Sequence, residues 1–174
     1  PLLLVVINSF NENTSFAWPP TGFTTTWWSK AAVNDGVRDA ITRSAVVALF
    51  ATVIALILGS LAAAAISRYK FFGRESISLL FVLPIALPGI VTGIALNNVF
   101  TNFFGGLTFF TIIIGHATFC VVVVFNNVAA RYRRMGTSFE EASMDLGANR
   151  ITTFRLVTLP MIRNALVAGG LLAF

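Results

Sequence analysis

The chain has 174 residues, of which 56% are hydrophobic and 11% are charged, and its formal net charge is +5. A soluble domain carries about 25% charged residues, so this composition indicates long apolar stretches of the kind that cross a bilayer. The basic residues lie in short clusters between apolar runs, a distribution typical of membrane proteins that argues against nucleic-acid binding. The single cysteine, Cys120, excludes an internal disulfide.

The apolar runs, taken in chain order, predict an all-α, polytopic helical membrane protein. Three runs reach the roughly 20 residues that a helix needs to cross the hydrocarbon core. Because the bilayer core holds no water for backbone N–H and C=O groups to bond with, these runs are expected to be helices, which satisfy those groups internally. The chain begins and stops inside two shorter apolar runs, so we expect it to be a fragment of a longer protein. The predicted spans are about 1–7 (partial), 41–66, 77–100, 107–130 and 162–174 (partial).

The charge of the loops predicts the orientation of the chain. Loops 67–76 and 131–163 hold nine of the twelve Lys and Arg residues. The positive-inside rule therefore places them on the cytoplasmic side of a bacterial plasma membrane. Loop 8–40 is predicted to lie outside, with Trp27 and Trp28 in the aromatic belt at the outer interface.

The cytoplasmic loop 131–161 contains the sequence EEASMDLGANRITTFRLVTLP. Ser138 is predicted to cap a helix, with Glu141 three residues on completing a capping box. Gly147 is suited to the left-handed residue that ends such a helix. A second helix is expected over 149–157, followed by a proline in the first turn of the next membrane helix.

This loop resembles the EAA loop of ABC importer permeases, which reads Glu-Ala-Ala, three residues, Gly, nine residues, then Ile-x-Leu-Pro. In that family the loop forms a coupling helix that docks on the ATPase, so the resemblance implies an ATPase contact here. The alternative from local physics is that Glu141 is only a capping residue and Gly147 only a helix terminator. The positions concerned are Glu141, Ala142, Ser143 (for the second Ala), Gly147, Val157 (for Ile), Leu159 and Pro160.

Other segments resemble the spermidine/putrescine permeases of this type, namely LLLVVINSFN, GFTTTWW, SRYKFFGR and LPIALPGIVTGIAL. Permeases for ferric iron, phosphonate and other small solutes are built similarly and stay as alternatives. A path for a polycation should offer carboxylates or aromatic faces, yet the three complete predicted spans contain no Asp or Glu. The resemblance therefore implies an acidic pair in a helix after residue 174; the alternative is recognition mainly by an external binding protein.

The translocation pathway is predicted from one proline-containing span and one histidine. Pro84 and Pro88 remove backbone donors, which predicts a kink or an unwound section. The resemblance implies that this region, with Thr92, lines the pathway; the alternative is a structural kink. His116 is an ionisable residue within a span and hence a functional candidate, with a hydrogen bond to a neighbouring helix as the alternative. One His without partners at ligand spacing predicts no metal site.

The sequence contains no P-loop, so the chain is not expected to bind ATP by that means or to be an enzyme. The resemblance implies that an ABC ATPase dimer binds ATP and Mg, and that this chain holds no cofactor. It also implies a second permease subunit and an extracytoplasmic substrate-binding protein, for which loop 8–40 is the natural docking surface.

Two other classes of membrane protein are disfavoured by the sequence. A secondary transporter would need intramembrane acids and an inverted repeat, and a lipid-modifying enzyme would need clustered polar catalytic residues. The sequence shows none of these features.

Overall fold

The computed structural model describes residues 2–15 and 18–174, apart from three side chains at positions 82, 84 and 85. Its contacts divide the chain into two units, residues 1–45 and 46–174.

The described residues are mainly helical, as the apolar runs predict, and the chain is an all-α membrane protein. A helix Arg150–Ala173 continues through a π-helical segment, Phe154–Thr158. The helices are α1 (Leu2–Ser9), α2 (Thr26–Val33), α3 (Asp35–Arg68), α4 (Arg74–Ala86), α5 (Gly89–Phe104), α6 (Phe109–Met135), α7 (Ser138–Asp145), α8 (Arg150–Thr153) and α9 (Leu159–Ala173).

Three described helices are long and apolar enough to cross a membrane: α3, α6 and the run Arg150–Ala173. α3 contains the whole predicted span 41–66, and α6 contains most of 107–130. The third contains most of 162–174, which the sequence presents only as a partial span. The helix extends further toward the N-terminus than its apolar run because it includes the polar residues after Asn149.

The predicted span 77–100 differs from the structure, because it is not one helix. α4 has 13 residues and α5 has 16, and between them Leu87 and Pro88 adopt extended conformations (ψ 143° and 130°). A proline disfavours helical conformation in the residue before it, which accounts for the break at Leu87. The interruption therefore lies at Pro88, whereas the backbone of Pro84 lies inside α4.

The core of residues 46–174 lies where α3, α6 and α9 pack together. Val124 of α6 is fully buried and contacts Gly59 of α3 and Gly169 of α9. A Cβ atom on Gly59 would lie 2.9 Å from the Val121 carbonyl oxygen, and one on Gly169 would lie 3.2 Å from the Val124 Cα. Small residues let membrane helices approach this closely, so glycine sets the spacing of all three helices.

The shorter helices α4 and α5 also pack on α6. The Phe81 ring of α4 stacks on Phe125 with centroids 4.6 Å apart and an interplanar angle of 18°. Phe100 of α5 is buried, and its ring lies next to Gly115 of α6. α6 is thus the central helix of residues 46–174.

In residues 1–45, the fully buried residue Asn11 lies at the centre of a local turn. The Trp27 indole Nε1 donates to the Asn11 carbonyl oxygen at 2.9 Å. The Trp28 ring lies 5.8 Å from the Phe10 ring. The two tryptophans therefore stabilise this local turn, and their place in the aromatic belt of a membrane stays a prediction.

Replacing Gly59 by alanine tests the glycine spacing of the core. We expect Gly59→Ala to lower the free energy of unfolding by about 1–3 kcal/mol, the usual cost of overpacking, because its Cβ would meet the Val121 carbonyl oxygen at 2.9 Å and the Phe125 nitrogen at 3.0 Å. Thermal unfolding of the purified protein in detergent measures the change.

Gly93→Ala is the matched control, because Gly93 is also helical but a Cβ there meets nothing within 4 Å. Alanine is intrinsically the better helix former, so this variant should unfold at the same temperature as the parent or higher. Equal melting temperatures for the two variants would refute the close-packing account.

Candidate coupling site

α7 begins at Ser138 without the predicted side-chain cap. The residue before it, Thr137, has φ −114° and ψ −13° and makes no side-chain capping bond; an N-cap normally has an extended conformation. The predicted capping box of Ser138 and Glu141 is therefore wrong, and Ser138 is the first helical residue. Glu140 and Glu141 still lie in the first turn, where negative charge favours the helix dipole.

The end of α7 follows the prediction for Gly147, which has φ +89°. The Gly147 N–H donates to the Met144 carbonyl at 2.9 Å, and the Ala148 N–H donates to the Ser143 carbonyl at 3.2 Å. These two bonds form a Schellman motif, which satisfies carbonyls that the helix leaves without partners. The glycine therefore stops α7 and turns the chain toward the next helix.

That next helix begins at Arg150 and is capped by Asn149, whose side-chain oxygen accepts the Thr152 N–H at 2.9 Å. Pro160 has no N–H, and a proline ring crowds the carbonyl four residues earlier in an α-helix. The π-helical turn before it, in which the Leu159 N–H donates to the Phe154 carbonyl, changes the bonding register at this point. Pro160 lies in the first turn of α9 as expected, but α9 continues the preceding helix.

α7 contains no buried residue, and polar side chains attach it to the other helices. Glu140 Oε2 lies 2.7 Å from Nε of Arg68, the last residue of α3. Glu140 Oε1 accepts a hydrogen bond from the Thr158 hydroxyl at 2.8 Å. The hydroxyls of Ser143 and Thr153 lie 3.1 Å apart. One carboxylate thus joins α7 to α3 and to the π-helical segment.

The Arg68–Glu140 ion pair is largely buried, with side chains 16% and 14% exposed. The Arg68 guanidinium carbon lies 4.7 Å from the centre of the Tyr132 ring of α6, and Tyr132 is itself buried. The Nε–Oε2 contact is short, but its angles do not meet those of a hydrogen bond. Arg68 Nη2 also has no hydrogen-bond partner among the described residues. The attraction is therefore mainly Coulombic, with a cation–π contribution from Tyr132.

Another part of the loop faces solvent. Glu141 and Ala142 are exposed, and large apolar side chains near them are exposed too: Phe139, Leu146 (90%) and Ile151 (80%). Apolar groups of this size on an exposed surface mark an interaction site when they form a patch. Within α7, Glu140 thus attaches the helix to the rest of the protein, whereas Glu141 and Ala142 face solvent.

The predicted coupling positions fall into exposed and half-buried sets. The half-buried set is formed by Ser143 and Val157. The exposed set is Glu141, Ala142, Gly147, Leu159 and Pro160. Leu159 and Pro160 belong to α9 and the others to α7 or its end, except for Val157 in the π-helical segment.

The predicted pathway residues are spread over three helices. Pro88 precedes α5 and is exposed, while the side chain of Pro84 lies outside the described part of the structure. Thr92 of α5 is half-buried, and its hydroxyl has no hydrogen-bond partner among the described residues. His116 is exposed on α6. Their role in a pathway stays a prediction.

Sequence reasoning missed the link from α7 to the membrane helices, which consists of Glu140, its partners Arg68 and Thr158, and Tyr132 next to Arg68. From the sequence, Glu140 is expected only to favour the helix dipole, and Arg68 only to contribute to the positive charge of loop 67–76. Adjacent glutamates at the start of a helix point in different directions, so one of the pair could have been expected to face inward. Nothing in the sequence indicates its partner.

Residues 55–174 match a family described as the binding-protein-dependent transport system inner membrane component. Over its whole length the chain is 34% identical to the putrescine transport system permease protein PotI of Escherichia coli K12 and covers 64% of that protein. It is 33% identical to the spermidine/putrescine transport system permease protein PotC of Haemophilus influenzae and covers 67% of it. The chain thus spans about two thirds of the length of these relatives.

A more distant relative and a solved structure extend the comparison. The sulfate transport system permease protein CysT of Salmonella typhimurium is 32% identical over 85% of the chain, which covers 57% of that protein. The chain also aligns with the crystal structure of a bacterial ABC transporter involved in the import of alginate, at a TM-score of 0.67 and 20% sequence identity. The alignment covers 99% of this chain and 62% of the transporter chain. That structural match shows a shared fold.

Substitutions at Gly147 test the left-handed end of α7. We expect Gly147→Val to loosen the last turn, because a β-branched residue is strained at φ +89°, and amide hydrogen exchange in α7 should rise about fivefold or more, for a cost near 1 kcal/mol. Gly147→Asn is the control, since asparagine tolerates this conformation. If both variants exchange at the parent rate, the Schellman motif does not hold the helix end.

Proposed function

Because the chain belongs to the family of inner membrane components of binding-protein-dependent transport systems, we propose that it is a permease subunit of an ATP-driven ABC importer for polyamines. A separate ATPase dimer would bind ATP and Mg and supply the energy, so this chain would need neither. A second permease subunit and an extracytoplasmic substrate-binding protein would complete the transporter. The observation that carries the proposal is the match of the whole chain to polyamine permeases, together with the family match.

The exposed part of loop 131–161 supports an ATPase contact. A docking element must be stable in itself and must keep a surface free for its partner. α7 has a defined end at Gly147 and is anchored inward through Glu140, while Glu141 and Ala142 remain exposed. The proposed ATPase surface is formed by Glu141, Ala142, Leu146 and Ile151.

The Arg68–Glu140 contact supports the proposed orientation. It joins the end of α3, next to loop 67–76, to the start of α7 in loop 131–161. The two loops richest in arginine and lysine therefore lie at one end of residues 46–174, as a common cytoplasmic location requires. Loop 8–40 would then face outward, where the binding protein delivers its solute.

The proposed solute is a polyamine such as putrescine or spermidine. The relatives that match the whole chain are a putrescine permease and a spermidine/putrescine permease, whereas the sulfate permease matches a smaller part of it. Sulfate is the second candidate, because the predicted spans 41–66, 77–100 and 107–130 contain no Asp or Glu that would favour a cation. Selectivity for a polyamine would then rest mainly on the binding protein.

The proposed transport cycle uses these parts in sequence. A loaded binding protein meets the outer surface, and ATP closes the ATPase dimer on the cytoplasmic side. α7 follows that closure as a rigid element, and the membrane helices change from an inward-open to an outward-open arrangement. Hydrolysis resets them, so ATP shifts a two-state equilibrium of the helix bundle.

Uptake of labelled putrescine and spermidine by cells that carry the whole transporter tests this function. We expect uptake that unlabelled polyamine suppresses and that excess sulfate leaves unchanged. Glu141→Lys should lower uptake about tenfold or more, because a reversed charge on a proposed docking surface costs several kcal/mol, and the ATPase should no longer co-purify.

Glu75→Lys is the control for the same charge reversal outside the coupling loop, because Glu75 is also an exposed carboxylate in the first turn of a helix, and its uptake should equal that of the parent. Sulfate uptake without polyamine uptake would replace the substrate but keep the importer. Normal polyamine uptake by Glu141→Lys would refute the docking surface.

A further inference from the structure

We propose that Glu140, held by Arg68 and Thr158, is the positioning residue that carries motion of α7 into the membrane helices. The proposal rests on the importer function above and names how its coupling helix is connected. It assigns Glu140 a role different from that of the adjacent Glu141.

The first argument is that α7 has no apolar anchor. Its apolar residues, Phe139, Ala142 and Met144, are all exposed, so hydrophobic packing does not make it move together with its neighbours. Its described side-chain links are the two oxygens of Glu140 and the Ser143 hydroxyl. Of these, Glu140 alone reaches α3.

The second argument is that the contacts of Glu140 end on the helices that carry the core. Arg68 is the last residue of α3, which packs on Val124 of α6 through Gly59. Thr158 is buried at the end of the π-helical segment that leads directly into α9. Arg68 also lies over Tyr132 of α6. A displacement of Glu140 therefore acts on α3, α6 and α9 together.

The third argument concerns the burial of the charges. Separating a pair whose side chains are only 16% and 14% exposed would leave both charges poorly solvated, which is strongly unfavourable. The pair consequently stays together when α7 moves, and the helix end follows. An exposed ion pair would break in water at little cost and would transmit nothing.

The experiment compares solute transported with ATP hydrolysed for the whole transporter in proteoliposomes, with the binding protein present. We expect Glu140→Gln to lower the ratio of solute to ATP about tenfold, while the ATPase still co-purifies. Glu75→Gln is the matched control, because Glu75 is also a carboxylate in the first turn of a helix and belongs to loop 67–76, which is likewise predicted to be cytoplasmic, and its ratio should equal that of the parent.

The charge-exchanged variant Arg68→Glu with Glu140→Arg separates positioning from simple loss of folding. It should recover at least about a third of the parent ratio if the pairing itself matters, whereas Arg68→Glu alone should not. If Glu140→Gln unfolds in detergent, the comparison of the double variant with Arg68→Glu alone is sufficient to test the proposal.

The outcomes distinguish the positioning role from the importer function. A parent-like ratio in Glu140→Gln, or a double variant no better than Arg68→Glu, overturns the positioning role. If that happens while Glu141→Lys still loses the ATPase, the importer function stands alone. If no ATPase co-purifies with the parent, the importer function fails and the positioning role with it.

Discussion

Close packing of three helices around Val124 is the constraint on which the rest of the structure depends. Gly59 and Gly169 bring α3 and α9 within backbone contact of α6, and apolar burial gives little drive for such association in a membrane. That spacing places the end of α3 beside α7, so that Arg68 reaches Glu140. A larger residue at either glycine would move the helix ends as well as the core.

The coupling loop uses a different kind of interaction, and the difference suits its proposed role. A helix attached by apolar burial resists any change of position, because packed interiors are dense. α7 is instead attached by a carboxylate shared between Arg68 and Thr158, and its Schellman motif at Gly147 keeps it rigid on its own. Such an element can move as a unit while its connection to the membrane helices persists.

The sequence was sufficient for the all-α class, the apolar runs and the end of α7 at Gly147, since these follow from composition and from local backbone preferences. It failed at Ser138, where the capping pattern is present but the backbone of Thr137 is not extended. It also missed the π-helical turn before Pro160 and the pairing of Arg68 with Glu140. These depend on contacts between distant segments, which no local pattern encodes.

Cross-linking at Ala142 tests the central claim, that the exposed part of α7 docks on an ATPase, most directly. With the single cysteine replaced (Cys120→Ser), Ala142→Cys should cross-link to the ATPase subunit in membranes, and ATP should change the yield. Ser29→Cys in loop 8–40 should give no such product and should react with an impermeant thiol reagent from outside. Labelling of Ala142→Cys from outside, with no cross-link to the ATPase, would contradict both the docking surface and the orientation.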